Sequence, residues 1–138
     1  MPRISYCNVF VDDQQKALEF YTEKLGFVAK HDIPLGGGAR WLTVVSPDDV
    51  DGTELLLEPD SHPAVGPYQR ALVDDGIPAT AFGVQDARAE AERLRGLGVR
   101  IVREPVDMGT IVSVLIDDTC GNLIQLQQLT DKAPDPLV

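Results

Sequence analysis

The chain starts with a stretch rich in apolar, β-branched and aromatic residues, a composition typical of a β-strand. This stretch covers residues 4–11 and stops at an acidic pair, Asp12-Asp13. Asp13 is a good helix N-cap, and apolar residues at helical spacing follow it as far as Leu25, directly before Gly26. We therefore predict a strand over 4–11 and a helix from Asp13 to about Leu25.

Three short apolar stretches separated by turn residues follow this helix. They predict strands over 27–33, 41–46 and 54–58, with turns at 34–38 and 47–52. The glycine run 36–38 is interpreted as a hairpin turn, because no helix start with Lys and Ser/Thr follows it, as a phosphate-binding loop requires. The first part of the chain is thus a predicted βαβββ unit.

The same pattern returns in the second half of the chain, with an offset of about 72 residues. Leu25-Gly26-Phe27, for example, corresponds to Leu97-Gly98-Val99. The repeat predicts a strand over 79–84, a helix capped by Asp86, strands over 99–103, 111–116 and 123–127, and turns at 105–109 and 117–121. A unit of ~60 residues has little core of its own, so we expect the two units to share one.

A proline-containing connector separates the two units. It covers residues 59–78 and is expected to form one or two helical turns over 68–73. Residues 131–138 are predicted to be a loose tail. We therefore expect a single domain over 1–130, with module one over 4–58 and module two over 79–128.

Composition and charge limit the partners. The 138 residues are 43% hydrophobic and 25% charged, as in an ordinary globular protein, and the net charge is −10. This charge argues against nucleic acids and anionic membranes as partners. No apolar segment reaches the ~20 residues of a membrane span, and the N-terminus lacks a signal-peptide pattern, so a cytoplasmic location is expected.

The two cysteines, Cys7 and Cys120, do not form a disulfide framework. We predict two free thiols. A nucleophilic Cys120 is the alternative, because it lies in a predicted turn, although no His is near it in the sequence to lower its pKa.

A family resemblance rests on short motifs that occur in order in both halves. They are Val11-Asp12-Asp13, Ala17-Leu18-Glu19-Phe20-Tyr21, Leu25-Gly26-Phe27, Ala91-Glu92-Arg93-Leu94, Leu97-Gly98-Val99 and the stretch 117–126. Over about 4–128 the chain resembles the vicinal oxygen chelate superfamily, which includes glyoxalase I, extradiol dioxygenases and bleomycin-resistance proteins. The resemblance implies an α+β fold, in which two tandem βαβββ modules form a cupped mixed sheet of about eight strands.

The enzymes of this family hold a divalent ion inside the cup with His or Glu from four strands. By resemblance, three of these positions fall on Tyr6, Ala79 and Gln125, and the fourth is one of Glu54, Leu56 or Glu58. Tyr, Ala and Gln are poor ligands for such an ion, so we expect no metal cofactor and no glyoxalase I activity. The alternative is a relocated metal set, for example Glu58 with His31 or His62.

The residues expected to bind a ligand lie on the strand faces that the resemblance turns into the cup. They are Tyr6, Asn8, Phe10, Trp41, Glu54, Leu56, Glu58, Ala79 and Gln125. Two questions stay open. Trp41 and Phe10 could instead fill the core, and Gln125 and Gln127 could bond either a polar ligand or a closed network with Asn8 and Tyr6.

Three functions are compatible with this site. The leading hypothesis is a metal-free small-molecule-binding protein that forms a homodimer, as bleomycin-resistance proteins do, with a cationic or aromatic ligand. The second is a lyase, isomerase or dioxygenase with a relocated or absent metal, in which Glu54 or Glu58 is the catalytic base. The third is an interaction role with a filled, inert cup.

Overall fold

A computed structural model describes residues 1–137 and contains the βαβββ pattern twice. Module one consists of β1 (Tyr6–Val11), α1 (Gln14–Glu19), a π-helical segment (Phe20–Lys24), β2 (Val28–Gly36), β3 (Ala39–Val45) and β4 (Glu54–Pro59). The connector contains α2 (Val65–Asp74). Module two consists of β5 (Thr80–Gly83), α3 (Ala87–Gly96), β6 (Ile101–Asp107), β7 (Ile111–Asp117) and β8 (Leu123–Leu129). The predicted α+β class and the tandem repeat are confirmed.

The two helix starts are capped as predicted. Asp13 Oδ1 accepts from the Lys16 N–H at 3.0 Å, and Asp86 Oδ1 accepts from the Ala89 N–H at 3.0 Å. The first helix departs from the prediction after Glu19, where its hydrogen bonds change to the π pattern before the chain leaves the helix. The two modules therefore share the same N-cap hydrogen bond at the start of α1 and α3.

The strands form two four-stranded mixed sheets, ordered β1-β4-β3-β2 and β5-β8-β7-β6. In each sheet the first strand of the module pairs in parallel with the last. The expectation of one sheet of about eight strands is therefore corrected to two. The reason is that the modules associate through side chains of a shared core, while the backbone joins them at single bonds such as Asp12 N–H to the Cys120 carbonyl, 3.3 Å.

One face of each sheet is buried in this shared core. On β1, Val9 and Val11 are buried, and on β7 and β8, Ile116 and Ile124 are fully buried. These side chains belong to one hydrophobic cluster that also contains residues of α1, the π-helical segment and α3, among them Ala17, Phe20, Tyr21, Ala91 and Leu94. Burial of this apolar surface is the main stabilising contribution to the fold, and it leaves the opposite face of each sheet turned away from the core.

Two strands run through prolines that were predicted to lie in turns. β2 includes Pro34 and reaches Gly36, and β6 includes Pro105. Both are edge strands, and their register shifts between Pro34 and Gly36 and between Arg103 and Val106. Proline is tolerated at such edges and bulges because no ladder hydrogen bond is required of its nitrogen.

The connector is more helical than predicted. α2 has ten residues, and Pro67 lies in its first turn, where a missing N–H costs no helical hydrogen bond. Across residues 1–137, no helix combines the length and apolar character that a membrane span requires.

Candidate functional site

The outward face of the first sheet carries most of the residues predicted to bind a ligand. On β1, Tyr6, Asn8 and Phe10 share the face opposite the buried core residues Val9 and Val11. The parallel register places them beside the β4 residues Glu54, Leu56 and Glu58 respectively. Antiparallel pairing adds Trp41 and Thr43 from β3 and His31 from β2 to the same face. We call this surface the module-one cup face: Tyr6, Asn8, Phe10, His31, Trp41, Thr43, Glu54, Leu56 and Glu58.

Two aromatic rings meet on the module-one cup face. The Tyr6 and Trp41 ring centroids are 5.2 Å apart with an interplanar angle of 88°, an edge-to-face contact. Tyr6 is 49% exposed, and both Trp41 and Phe10 are partly exposed. Because neither Trp41 nor Phe10 belongs to the buried core, the alternative that they fill it is wrong.

Both carboxylates of this face are held by hydrogen bonds. Glu58 Oε2 accepts from Asn8 Nδ2 at 2.8 Å, and Glu54 Oε1 accepts from the fully buried Thr43 hydroxyl at 2.7 Å. His31 Nε2 lies 3.5 Å from the same Glu54 oxygen. These contacts fix the carboxylate positions beside the aromatic pair.

A different polar group lies on the outward face of the second sheet. Register places Ala81 beside Gln125, and Gly83 and Ser113 beside Gln127. Gln125 Nε2 donates to Gln127 Oε1 at 3.0 Å. The alternative of a closed network that joins these glutamines to Asn8 and Tyr6 is therefore wrong, because Gln125 bonds Gln127 and Asn8 bonds Glu58.

Ala79 and two residues that sequence reasoning missed complete this second face. Ala79 immediately precedes β5, and its N–H donates to the Leu123 carbonyl at 2.8 Å. Arg103 on β6 donates through Nη2 to the fully buried Ser113 hydroxyl at 2.7 Å. A polar Ser113 inside the otherwise apolar strand 111–116 is the signal that could have identified this position.

The donor set at the family's metal positions does not fit a divalent ion. It offers a phenol at Tyr6, a methyl group at Ala79 and an amide at Gln125. The fourth position is one of Glu54, Leu56 or Glu58, so these positions supply at most one carboxylate. The suggested pairing of Glu58 with His31 is not formed, because His31 Nε2 lies 3.5 Å from Glu54 instead. The Nδ1 of His62 accepts the Ala64 N–H at 3.1 Å. Among the described residues, no three His, Cys, Asp or Glu side chains come together as a metal site.

The two thiols have opposite environments. Cys7 is exposed, and Cys120 is fully buried. Burial, with a smaller contribution from the nearby Asp118 carboxylate, raises the pKa of Cys120 to about 12. The alternative of a nucleophilic Cys120 is therefore wrong, because the thiolate is the reactive form.

A buried polar network joins β1, which carries part of the module-one cup face, to module two. Asp118 accepts from the Tyr21 hydroxyl at 2.7 Å and from Asn122 Nδ2 at 2.8 Å. Asn122 Nδ2 also donates to the Phe10 carbonyl at 2.7 Å, and Gln69 Nε2 of α2 donates to the same carbonyl at 3.0 Å. The network thus fixes the position of β1, the strand that supplies Tyr6, Asn8 and Phe10.

Burial dominates the titration of this network. It raises the pKa of Asp118, while the hydrogen bonds from Asn122 and Tyr21 act in the opposite direction. Burial also raises the pKa of Tyr21, and the Asp118 charge adds to that shift. Tyr21 therefore remains a hydrogen-bond donor at neutral pH.

Solved structures of other proteins share this two-module architecture. UcmS2 has a crystal structure that is 32% identical in sequence, with a TM-score of 0.78 over 92% of this chain and 98% of the other. TnmS3, an antibiotic binding protein from Streptomyces sp. CB03234, is 27% identical, with a TM-score of 0.75 over 94% of this chain and 98% of its own.

Sequence comparison leads to the same family. The uncharacterized protein YurT of Bacillus subtilis (strain 168) is 55% identical over 126 residues, which cover 91% of this chain and 98% of YurT. The family model of the glyoxalase/bleomycin resistance protein/dioxygenase superfamily matches residues 3–126. The chain therefore belongs to the glyoxalase/bleomycin resistance protein/dioxygenase superfamily.

Proposed function

We propose that this protein binds an amphipathic small molecule, with an aromatic and cationic part, on the module-one cup face and without a metal cofactor. The observation that carries the proposal is the placement of the Tyr6–Trp41 pair beside Glu54 and Glu58 on one sheet face. Aromatic faces and fixed carboxylates together attract a flat organic cation. In this proposal Tyr6, Asn8, Phe10, Trp41, Glu54, Leu56 and Glu58 contact the ligand, with Ala79 and Gln125 contributed by module two.

The relatives support binding as the general activity. TnmS3 is described as an antibiotic binding protein, and it shares both modules with this chain. Binding of a small molecule is consistent with a cup in which three of the metal-ligand positions carry Tyr, Ala and Gln. Sequestration by shape and charge is thus the simplest activity for this cup.

We further propose that residues 1–130 act as one domain and that the protein is a homodimer. The outward face of the first sheet exposes apolar side chains in the single chain, such as Tyr6 and Ile33, the latter 50% exposed. A second copy would cover this surface and enclose the ligand, as ligand sites are usually concave and largely buried. Sedimentation velocity tests this, with a single species at twice the monomer mass expected.

A second candidate function is metal-free proton transfer by Glu54. It is favoured by the hydrogen bond from Thr43 and the proximity of His31, since a general base must be oriented toward its substrate and able to pass on the proton. Glu58 accepts a hydrogen bond from the amide of Asn8, and among the described residues no histidine lies beside it as His31 lies beside Glu54, so Glu58 is the weaker choice for a base.

Metal analysis combined with a thermal-shift screen tests the leading proposal. Protein purified without chelator should contain substoichiometric Ni, Zn, Fe and Mn, and aromatic cations from a drug and metabolite library should raise its melting temperature. Stoichiometric metal that is lost in Glu54→Gln or Glu58→Gln would contradict the metal-free proposal. A library without any stabilising compound would favour a filled cup.

A further inference from the structure

A row of polar groups crosses the outward face of the second sheet. Arg103 Nη2 donates to the Ser113 hydroxyl at 2.7 Å, and Ser113 is the cross-strand partner of Gln127. Gln127 in turn pairs with Gly83 on β5. The order across the sheet is therefore guanidinium, hydroxyl, amide and a position without a side chain. We call these four residues the Arg103 row.

Within residues 1–137, the charge of Arg103 is not neutralised by a carboxylate. No carboxylate of the described residues lies within 4.0 Å of its guanidinium, although the sequence has 22 acidic residues against 12 basic ones. The Arg103 guanidinium instead donates to the neutral hydroxyl of Ser113, a residue that is fully buried. The buried Ser113 anchors the guanidinium on the sheet while leaving its charge and its remaining N–H groups available.

The neighbouring amide also has donors to spare. Gln127 Oε1 accepts from Gln125 Nε2 at 3.0 Å, so the acceptor end of the Gln127 amide is occupied. Its N–H groups remain for another partner. Both side chains of the row that could contact a ligand, Arg103 and Gln127, therefore offer hydrogen-bond donors.

There is room for a ligand beside these donors. A Cβ placed on Gly83 would meet no atom within 4 Å, and Ala81 on the same face is exposed. An open surface depression of about 460 Å³ lies beside Gly83 and Gln127 and is lined by residues 83–85 and 127–129. This depression adjoins the Gln127 end of the row, and Arg103 approaches the row from the opposite edge of the sheet.

We propose that the Arg103 row is a second subsite that binds a carboxylate or comparable anionic acceptor group of the ligand, with Arg103 as its specificity-determining residue. The inference rests on the proposed small-molecule function and deepens it. The ligand then carries a cationic aromatic part for the module-one cup face and an anionic acceptor for module two. A guanidinium with free N–H groups is well suited to hold a planar carboxylate.

The test is calorimetric titration of the full chain with two probes of matched shape, 2-naphthoate and the neutral 2-naphthalenemethanol. We expect Arg103→Gln to weaken 2-naphthoate binding about tenfold, since a charged hydrogen bond is lost, and to leave the neutral probe within about twofold. Arg88→Gln is the matched control, because Arg88 is an exposed arginine on α3, and it should change neither affinity.

A second variant separates the ligand site from a change in folding. Gly83→Val keeps Arg103 but fills the open floor beside it, and a strand accepts valine readily. It should also weaken 2-naphthoate binding, with an unchanged circular dichroism spectrum. Unaltered 2-naphthoate affinity in Arg103→Gln would overturn the inference, as would an equal loss for both probes or a change confined to the oligomeric state. If aromatic cations still bind while 2-naphthoate does not, only this inference fails and the proposed function stands.

Discussion

The Tyr21 hydroxyl of module one donates to Asp118 Oδ2 of module two at 2.7 Å, and both side chains are buried. Asp118 Oδ1 also accepts the backbone N–H groups of Cys120 and Asn122, at 2.7 and 3.0 Å. The carboxylate is thus surrounded by donors, which offset the cost of its burial. This hydrogen bond links the tandem modules directly, and the same network reaches β1 of the candidate site.

Removal of the Tyr21 hydroxyl should destabilise the protein. Tyr21→Phe keeps the packed ring but leaves the buried carboxylate with one donor fewer, so we expect a loss of about 2 kcal/mol in the free energy of unfolding. Urea denaturation followed by circular dichroism measures it. Tyr6→Phe is the control, because Tyr6 is exposed and should lose less than about 0.5 kcal/mol. Equal losses in the two variants would show that the hydrogen bond from Tyr21 to Asp118 does not contribute to the free energy of unfolding.

The stability that Asp118 contributes should depend on pH. Burial raises the pKa of Asp118, so the folded state binds its proton more tightly than the unfolded state does. The contribution of Asp118 to stability is therefore complete below the ordinary aspartate pKa and is lost as pH rises through the raised folded value. Because the Tyr21 bond lowers this pKa, Tyr21→Phe should raise it further. Carboxyl ¹³C titration by NMR checks the direction, and a lower pKa in the variant would refute the assignment.

The two thiols should differ sharply in reactivity. Burial raises the pKa of Cys120 to about 12, so almost none of it is thiolate at pH 8, whereas Cys7 is exposed. Ellman's reagent should therefore titrate one thiol per chain in the native protein and two after denaturation. Cys7→Ser should abolish the native reaction. A fast native reaction that survives in Cys7→Ser would contradict the buried placement of Cys120.

Local signals in the sequence were sufficient to predict the repeat. Asp13 and Asp86 cap their helices as predicted, and Gly26 and Gly98, with φ of 86° and 84°, end the two helical regions in the left-handed conformation that glycine adopts without strain. The period of two along β1 also placed Tyr6 and its neighbours on the face opposite the core. These features depend on residues close together in the chain.

Features that depend on register between distant strands could not be predicted. The split into two sheets follows from which faces pack into the core, and the position of His31 beside Glu54 depends on strand pairing across β2, β3 and β4. Arg103 was overlooked for the same reason, since its partner Ser113 is ten residues away on another strand. Edge-strand bulges likewise extended β2 and β6 through prolines that locally favour turns.

Trp41 reports directly on binding to the module-one cup face, because it lies on that face and is the only tryptophan in the sequence. The decisive measurement is a fluorescence titration of EDTA-treated protein with a flat aromatic cation such as 1-methylquinolinium. A metal-free cup predicts saturable quenching of Trp41, unchanged by EDTA and roughly fivefold weaker in Glu58→Gln, as expected for the loss of one charge interaction of about 1 kcal/mol. Quenching that is absent after EDTA treatment and returns only with added Zn²⁺, Ni²⁺ or Mn²⁺ would contradict metal-free binding.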